Sequence, residues 1–401
     1  MQTHIDPALK NCAETAEADA ILRACVHCGF CTATCPTYQI LGSELDGPRG
    51  RIYLIKALLE GRAGGNKTRL HLDRCLSCGA CETTCPSGVR YGRLLEIGRR
   101  LSEEKAPRPF ADRLLRKILL EVLPEPRRFG LLLKMGRLFR PFLPAQWAQK
   151  LPRQKTTAHW PTAHHKRRML VLEGCVQPLT APNTNGAAAQ VLDGLGISLI
   201  CAEKAGCCGA INQHLSDTEM ARQRMRENID AWWPYVNDGI EAIVMTSSGC
   251  GQMVKEYGHA LRHDPGYARK AASISALTRD LSEILRSENL DHLALVGQGI
   301  KVAYQSSCTL QHGQKLGGVV ETILKRCGYT LTPVADSHLC CGAAGTYTLL
   351  QAQLSKTLLH NKLAALGNGK PDMIATANVG CQMHLESGTE IPVKHWIELL
   401  A

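Results

Sequence analysis

The chain has 401 residues, which is enough for two or three domains, and 44% of them are hydrophobic, which excludes disorder throughout. Its 19 cysteines far exceed ordinary usage and residues 1–10 carry no secretory signal, so we expect reduced thiols that serve as metal or cofactor ligands. The net charge of +11 is concentrated in residues 106–168, where ten Arg and five Lys accompany three acidic residues, so no general nucleic-acid partner is expected.

The N-terminal zone, residues 1–104, contains two cysteine runs of identical spacing, joined by a predicted helix over residues 50–60. Each run reads Cys-x2-Cys-x2-Cys-x3-Cys-Pro, the spacing of bacterial ferredoxins. In such a run three thiolates surround one cluster, and the fourth, followed by proline, is directed to the neighbouring cluster. We therefore predict two [4Fe-4S] clusters with two crossed ligand sets: Cys25, Cys28, Cys31 and Cys85 for the first, and Cys75, Cys78, Cys81 and Cys35 for the second.

Structural zinc is the alternative for these runs, because four cysteines also suit tetrahedral coordination. Zinc sites more often pair two Cys-x2-Cys knuckles across a longer stretch, whereas each run here is compact and ends in proline, which favours clusters. Two adjacent clusters form a path for single electrons. We predict no catalytic residue in this chain.

The second zone, residues 105–168, is a basic connecting segment. Its prolines interrupt short apolar runs and predict that no long regular helix forms. Large apolar side chains interleaved with Arg and Lys suit contact with anionic lipid or with an acidic partner subunit, and a solvated linker is the remaining alternative. The aromatic residues of the zone are Phe110, Phe129, Phe139, Phe142, Trp147 and Trp160.

The third zone is an internal duplication, divided into residues 169–295 and 296–401. Cys175 to Cys207 and Cys308 to Cys340 each span 32 positions. The second cysteine of each pair opens a Cys-Cys-Gly (CCG) triplet, and a last cysteine follows the triplet in both copies. Two matched frames indicate two homologous repeats.

Each repeat alternates short apolar runs with helical stretches, including a long helical pattern over residues 347–366. Such alternation predicts parallel strands with crossover helices, and the cysteines would lie in loops at one edge of the sheet. The predicted fold is therefore α/β overall: an α-helical, ferredoxin-like two-cluster module followed by two α/β cysteine-rich repeats.

The repeats offer four thiols each, which is enough for a further iron-sulfur cluster. The alternative is a pair of reduced thiol pockets, since buried cysteine also packs as a small hydrophobe. Cys12, Cys201 and Cys327 lie outside both frames and are predicted to be structural. The possible further ligands are Cys175, Cys207, Cys208 and Cys250 in the first repeat, and Cys308, Cys340, Cys341 and Cys381 in the second.

Nearly the whole chain resembles iron-sulfur oxidoreductases that join a two-cluster ferredoxin module to two CCG repeats. Within that family it is most similar to the iron-sulfur subunits of bacterial glycolate oxidases (glycolate dehydrogenases). The resemblance is carried by these segments: ILRACVHCGFCTATCPTYQILGSELDGPRGRIYLIKALLEG, RCLSCGACETTCPSGVRYG, NIDAWWP, SSGCGQMVKEYG and DSHLCCGAAGTY.

The resemblance implies a complex in which partner subunits carrying FAD oxidise glycolate and this chain, not catalytic alone, relays electrons toward a quinone. Gly297-Gln-Gly299 lacks the third glycine of a dinucleotide fingerprint, which agrees with a flavin bound elsewhere. No apolar run reaches the roughly 18 residues that span a bilayer, so we expect peripheral attachment at the cytoplasmic face of the inner membrane, or else a cytoplasmic protein.

Other members of the family provide the alternatives. The chain could serve oxidation of L- or D-lactate, or anaerobic oxidation of glycerol 3-phosphate. In heterodisulfide reductase relatives the repeats end in Cys-x2-Cys, but here Met253 and His384 stand at the last position, which disfavours disulfide reduction. An iron-sulfur sensor that binds nucleic acid is a further alternative, for which a two-cluster path would be superfluous.

Overall fold

The computed structural model describes residues 1–10, 13–62, 64–142 and 158–401, in which a helical N-terminal part precedes two four-stranded sheets. Cys12 and Trp147, about which the sequence made predictions, lie outside the described residues. Within the described ranges, no helix combines the length and the hydropathy needed to cross a membrane.

The described residues of the N-terminal part form seven α-helices: α1 Ala13–Ala24, α2 Phe30–Ala33, α3 Pro36–Leu41, α4 Pro48–Leu59, α5 Asn66–Asp73, α6 Ala80–Thr84 and α7 Tyr91–Lys105. The predicted helix over residues 50–60 is confirmed as α4. Helices α4 and α7 pack against each other and bury Ile55, Leu58, Leu94 and Leu95 completely or almost so. Each such side chain contributes roughly 1.5–3 kcal/mol on burial, which makes this helix pair the base on which the cysteine loops rest.

Two further α-helices lie in the described part of the basic zone: α8 Phe110–Val122 and α9 Pro126–Leu138. The prediction that prolines exclude long helices here was wrong. Pro109 is the N-cap of α8 and Pro126 lies in the first turn of α9, where the missing N–H of proline has no intrahelical partner to lose. These prolines begin helices and do not interrupt them.

The first sheet has the strand order β2-β1-β3-β4, and all of its pairs are parallel. Its strands are β1 Arg167–Val171, β2 Ile197–Cys201, β3 Ile243–Met245 and β4 Thr278–Asp280. The accompanying helices are α10 Gln177–Thr180, α11 Asn183–Gly194, α12 Ala210–His214, α13 Thr218–Asn237, α14 Ser248–Lys255, α15 Tyr257–Ala260, α16 Ala268–Leu277 and α17 Leu281–Ser287.

The second sheet repeats this topology as β6-β5-β7-β8, again with only parallel pairs. The predicted helix over residues 347–366 is split at Gln351. The strands are β5 Lys301–Gln305, β6 Thr330–Leu331, β7 Met373–Thr376 and β8 Val393–His395. The helices are α18 Val319–Arg326, α19 Tyr347–Leu350, α20 Ala352–Gly367 and α21 Val379–Glu386, and a π turn spans Thr309–Gly313.

The two sheets share one hydrophobic core, to which β1 contributes Met169 and Val171 and β5 contributes Val302 and Tyr304. Trp396 closes this core and is 1% exposed. The predicted parallel α/β architecture is confirmed. Because the strands are parallel, their carboxyl ends share one edge of each sheet, and the eight predicted repeat ligands follow strand ends there. The prediction that they lie in loops was wrong for Cys250 and Cys381, which lie in the first turns of α14 and α21, because these helices begin shortly after β3 and β7 end.

Candidate iron-sulfur centres

The four thiols of the first predicted set surround one cavity. Cys25, Cys28, Cys31 and Cys85 line it together with Pro86, and Cys81 of the second set also reaches its wall. Burial and the neighbouring Cys25, Cys28 and Cys85 thiols together raise the pKa of Cys31 to about 11. The structure therefore brings the fourth cysteine of the second run to the first three cysteines of the first run.

Both runs fold into the same tight loop because each contains two residues in the left-handed region. These are His27 (φ 57°) and Gly29 (φ 87°) in the first run, and Ser77 (φ 52°) and Gly79 (φ 74°) in the second. The glycine in each loop is the N-cap of a short helix, α2 or α6, that carries the third cysteine of the run. Glycine adopts this conformation without steric cost, so it turns the chain sharply between the second and third thiols.

The second predicted set also comes together. Burial raises the pKa of Cys78 and Cys81 well above the ordinary value of a thiol, and the nearby Cys75 and Cys35 raise the pKa of both further. Cys35, the last cysteine of the first run, thus lies with the first three of the second run. The Ser77 N–H and the Tyr91 hydroxyl donate to Cys75 Sγ at 3.5 and 3.6 Å, as donors to a ligating sulfur do.

A buried polar network beside Cys35 was not predicted from the sequence. Cys35 Sγ lies 3.3 Å from Thr37 Oγ1, which accepts a hydrogen bond from Arg51 Nη1 at 3.1 Å. Arg51 is 1% exposed, and its Nε donates to the His71 carbonyl at 2.7 Å. The carboxylate of Asp46 balances its charge at 3.6 Å.

One nitrogen of this guanidinium, Arg51 Nη2, is the atom that lies 3.6 Å from Asp46 Oδ1, and it is buried without a hydrogen-bond partner in the part of the chain that the structure describes. Burial opposes the charge, but the neighbouring Cys75, Tyr91 and Cys35 raise the pKa of Arg51 above its ordinary value. A buried donor without a hydrogen-bond partner near Cys35 and Cys75 fits an acceptor-rich cluster, because a buried polar group is normally hydrogen-bonded.

The first repeat gathers its four cysteines at the sheet edge. Cys207 accepts hydrogen bonds from the Cys175 and Cys208 thiols, which lowers its pKa and raises theirs, and Cys208 also contacts Cys250. The Gly209 N–H points at Cys207 Sγ from 3.5 Å. All four predicted residues are therefore in one pocket.

The second repeat forms the equivalent pocket. Hydrogen bonding to Cys340 and burial raise the pKa of Cys308, and Cys341 Sγ lies 3.2 Å from Cys381 Sγ. The Gly342 N–H points at Cys340 Sγ from 3.4 Å, as in the first repeat. Four convergent thiols fit the donor set of a cluster, although ligands on different irons stand farther apart, so loading would widen the pocket.

Each pocket is accompanied by one basic side chain from the long helix that follows the triplet. Arg224 of α13 interacts with Cys207, and it is also paired with Glu125 at 2.8 Å. Lys362 of α20 is buried near Cys341, and burial lowers its pKa. Both side chains would offset the negative charge of ligating thiolates, a role that the sequence did not reveal because each is distant from its pocket along the chain.

The second thiol set of the N-terminal module meets the second repeat directly. Cys78 and Cys308 both pack against a buried cluster that includes Leu76 and Cys340. Cys308 is also a neighbour that raises the pKa of Cys78 after burial. This juxtaposition joins two four-thiol sites across more than two hundred residues of sequence.

Polar contacts hold this interface in place. Thr83 Oγ1 lies 2.9 Å from His312 Nδ1, and the Tyr347 hydroxyl donates to the Arg74 carbonyl at 2.9 Å. His312 is in turn fixed by the His338 carbonyl, 2.9 Å from its Nε2. The two sites are therefore packed against each other by side chains from both parts of the chain.

The remaining sequence predictions concern residues outside the pockets. Met253 is 9% exposed in the core of the first repeat, and His384 Nε2 lies 3.2 Å from Ser355 Oγ. Cys201 ends β2, and Cys327 is 0% exposed in the shared core. All 18 cysteines in the described ranges are free thiols.

Comparison with known proteins identifies the domains. Residues 21–89 match the 4Fe-4S dicluster domain, and residues 169–255 and 302–386 each match the cysteine-rich domain. The dicluster match confirms the two predicted [4Fe-4S] clusters of the N-terminal module, although the assignment of individual ligands stays a prediction.

Three relatives illustrate the similarity over different lengths. The chain is 56% identical over 401 residues to the glycolate oxidase iron-sulfur subunit of Escherichia coli strain K12, which covers 100% of this chain and 98% of that protein. It is 29% identical over 396 residues to the probable glycolate oxidase iron-sulfur subunit of Bacillus subtilis strain 168, covering 91% and 88%. It is 28% identical over 240 residues to lactate utilization protein A of Bacillus licheniformis, covering 56% and 95%.

A dicluster domain followed by two cysteine-rich repeats defines an electron-transfer subunit of the iron-sulfur oxidoreductase class. With 56% identity over its full length, the chain belongs to the family of glycolate oxidase iron-sulfur subunits. The family resemblance predicted from the sequence is confirmed.

Proposed function

We propose that this chain relays single electrons within a multi-subunit complex, from partner subunits that carry FAD and oxidise glycolate to glyoxylate, toward a quinone. The full-length identity of 56% to the Escherichia coli glycolate oxidase iron-sulfur subunit carries the proposal. The sequence contains no dinucleotide fingerprint, which supports placing the flavin and the oxidation of substrate on other subunits.

A [4Fe-4S] cluster supplies one-electron oxidation and reduction. The chain's own residues would bind the clusters, exclude water and place charge near them. Buried Leu76 covers the second site, and Arg51 sets a positive charge beside it. The proposed ligands are Cys25, Cys28, Cys31 and Cys85 for one cluster, and Cys75, Cys78, Cys81 and Cys35 for the other.

The second repeat is proposed to hold a further cluster. Its pocket thiols pack against the second N-terminal site through Cys78 and Cys308, which supports electron exchange between the two. The matching pocket of the first repeat is a candidate on ligand number alone. The proposed ligands are Cys308, Cys340, Cys341 and Cys381, and the corresponding set is Cys175, Cys207, Cys208 and Cys250.

Delivery of electrons to a quinone would place the complex peripherally at the cytoplasmic face of the inner membrane. The basic helices α8 and α9 are the part of this chain whose composition suits such a location. The flavin subunits would dock elsewhere on the chain.

Reconstitution tests the proposal. Chain purified without oxygen should show reducible [4Fe-4S] signals by electron paramagnetic resonance (EPR) and should not oxidise glycolate until flavin subunits are added. Iron should be about eight atoms per chain if the repeats are empty and about twelve or more if one is filled, counting four per cubane. Glycolate oxidation by this chain alone, or colourless protein loaded with zinc, would contradict the proposal.

Lactate is the second candidate substrate, because lactate utilization protein A of Bacillus licheniformis matches 56% of this chain. The two candidates are separated by copurifying the partner subunits and comparing turnover of glycolate with that of L- and D-lactate. A complex that prefers lactate would replace the glycolate assignment and leave the electron-transfer role unchanged.

A further inference from the structure

Helices α8 and α9 expose a large amount of apolar surface. On α8 the exposed side chains recur at the spacing of one helix face, and a second stripe runs along α9 and continues to Phe142. Phe110 is 70% exposed, Leu138 73% and Phe142 84%. The exposed apolar side chains of this basic hairpin, residues 110–142, are Phe110, Leu114, Leu115, Ile118, Leu131, Leu132, Met135, Leu138, Phe139 and Phe142.

An exposed apolar surface of this extent is rare on a soluble monomer and marks an interaction site. In this hairpin it is accompanied by positive charge. Lys117, Arg127, Lys134 and Arg140 are exposed and form no ion pair with any residue in the described ranges. Apolar and unpaired basic side chains on the same short helices are complementary to a layer with an apolar interior and an anionic surface.

The composition of the hairpin distinguishes lipid from protein as the occupant. Residues 110–142 contain no Ser, Thr, Asn, Gln, Tyr, His or Trp. A protein interface of ordinary size carries about ten direct hydrogen bonds and is enriched in Tyr and Trp as well as in Phe, Met and Arg. Of these, the hairpin lacks Tyr and Trp, the two that combine an aromatic ring with a hydrogen-bonding group. The hairpin offers only charged and apolar side chains, which need no fixed hydrogen-bond partner in lipid headgroups.

The hairpin is fastened to the rest of the molecule by its other side. Phe129 and Leu133 are 7% and 6% exposed. Arg108, next to the start of α8, is paired with Asp73 at 2.7 Å, and Glu125 is paired with Arg224 of the first repeat at 2.8 Å. These contacts hold α8 and α9 against the body of the protein while their apolar stripes remain exposed.

We propose that the exposed face of the basic hairpin binds the surface of an anionic lipid bilayer, with its apolar side chains between the headgroups and its Lys and Arg side chains at the phosphates. The inference rests on the proposed peripheral membrane location and specifies the part of the chain that makes the contact. It does not depend on the substrate of the partner subunits.

The test is cosedimentation of the full chain with phosphatidylcholine vesicles that contain about 30% phosphatidylglycerol, beside vesicles of phosphatidylcholine alone. The parent chain should bind the anionic vesicles, and high salt should weaken this binding. Leu131→Glu/Leu138→Glu should weaken it by roughly tenfold or more. Leu295→Glu/Val296→Glu, which adds the same charge at exposed positions outside the hairpin, should bind like the parent.

Other occupants of the face give different results. If a flavin subunit covers it, the hairpin variant loses that subunit in copurification but sediments with vesicles like the parent, which overturns the proposal. If residues of the same chain cover it, the hairpin variant melts at a lower temperature than the control variant and vesicle binding is absent in all forms, which also overturns it. Failure of glycolate oxidation in the reconstituted complex leaves the vesicle result unaffected, so the two proposals fail separately.

Discussion

The buried guanidinium of Arg51 is the clearest case of one residue that conditions a cluster site. It is held by the His71 carbonyl and Thr37 hydroxyl, and Nη2 has no hydrogen-bond partner within the described residues. A fixed positive charge stabilises the reduced form of a cluster, because reduction adds one negative charge. Arg51 should therefore raise the reduction potential of the cluster beside Cys35 and Cys75.

We expect Arg51→Gln to lower the midpoint potential of that cluster by an amount on the order of 100 mV, since charge-assisted contacts carry about 1.5–3 kcal/mol and a tenfold change for one electron, about 1.4 kcal/mol, is about 59 mV. EPR-monitored redox titration of the purified chain measures the shift. Arg62→Gln, at an exposed arginine paired with Glu60, is the matched control and should leave both potentials unchanged.

Arg51→Lys completes the series, because it keeps the charge but not the planar arrangement of donors. The midpoint potential of the cluster should stay close to that of the parent chain, while the free energy of unfolding of the variant should fall. If Arg51→Gln holds its full iron content and shows unchanged potentials, the guanidinium is only a structural partner of Asp46.

At the residue scale, the sequence predicted the cysteine sets, which follow from spacing along the chain, and missed the charged residues near them, which come together only in the fold. Cysteine positions follow from short-range spacing that a cluster requires, so all four pockets could be anticipated. Arg51, Asp46 and Lys362 act through neighbours that the chain brings together only when folded. Ion-pairable residues of this kind are common on surfaces, so sequence alone gives no reason to single them out.

Among the elements, the close approach of α4 and α7 depends on one glycine. A Cβ added at Gly98 would lie 2.5 Å from Ile55 Cγ1 and 2.9 Å from Ile55 Cδ1. Ile55 is completely buried, so its side chain has nowhere to move. The two helices therefore approach each other at a distance that only glycine permits, and both carry loops of the dicluster module.

Gly98→Ala should lower the free energy of unfolding by about 1–3 kcal/mol, the usual cost of overpacking a core. Differential scanning calorimetry under argon should record a melting temperature lower by a few degrees. Gly367→Ala makes the same substitution at a helix position with open space around it and should change the melting temperature little or raise it. Equal melting temperatures for the two variants would show that α4 and α7 separate without cost.

Strands β1 to β3 and β5 to β7 could be predicted because buried parallel strands contain apolar runs, and the duplication gave each of them a second example. Strands β4 and β8 were not predicted, because each has only three residues with a charged, exposed residue in the middle. The basic helices α8 and α9 were not predicted, because the sequence does not show whether a proline lies in the first turn of a helix, where it is tolerated, or in the interior, where it breaks the helix. The break at Gln351 was also missed, since helical periodicity continues across it. Local pattern thus identifies the type of an element more reliably than its ends.

Over the whole molecule, the N-terminal module contacts the two repeats in different ways. Toward the first repeat it presents Glu17, which pairs with Arg262 at 3.0 Å and with His259 at 3.2 Å. Toward the second repeat it presents the thiol site around Cys78, which packs against Cys308. Contacts between residues more than two hundred positions apart produce no recognisable pattern in a single sequence, so the packing of the N-terminal module against the two repeats could not be predicted.

The direct contact with the second repeat makes a prediction about electron exchange. If that pocket holds a cluster, Cys308→Ser should remove about four irons per chain, counting one cubane. It should also narrow the EPR spectrum of the reduced dicluster module, because a paramagnetic centre next to Cys78 is lost. Anaerobic iron analysis and EPR of the fully reduced chain measure both effects.

Cys175→Ser is the matched control, because Cys175 holds the equivalent position in the first repeat. Whether or not Cys175→Ser changes the iron content, it should leave the EPR spectrum of the reduced dicluster module as broad as that of the parent chain. The reason is that Cys78 packs against the second repeat, through Cys308 and Cys340, and not against the pocket of Cys175. If parent and Cys308→Ser both contain about eight irons and give the same spectrum, the second repeat holds no cluster. Electrons would then leave the chain from the dicluster module itself, and the packed thiols at this interface would serve only to join the two parts.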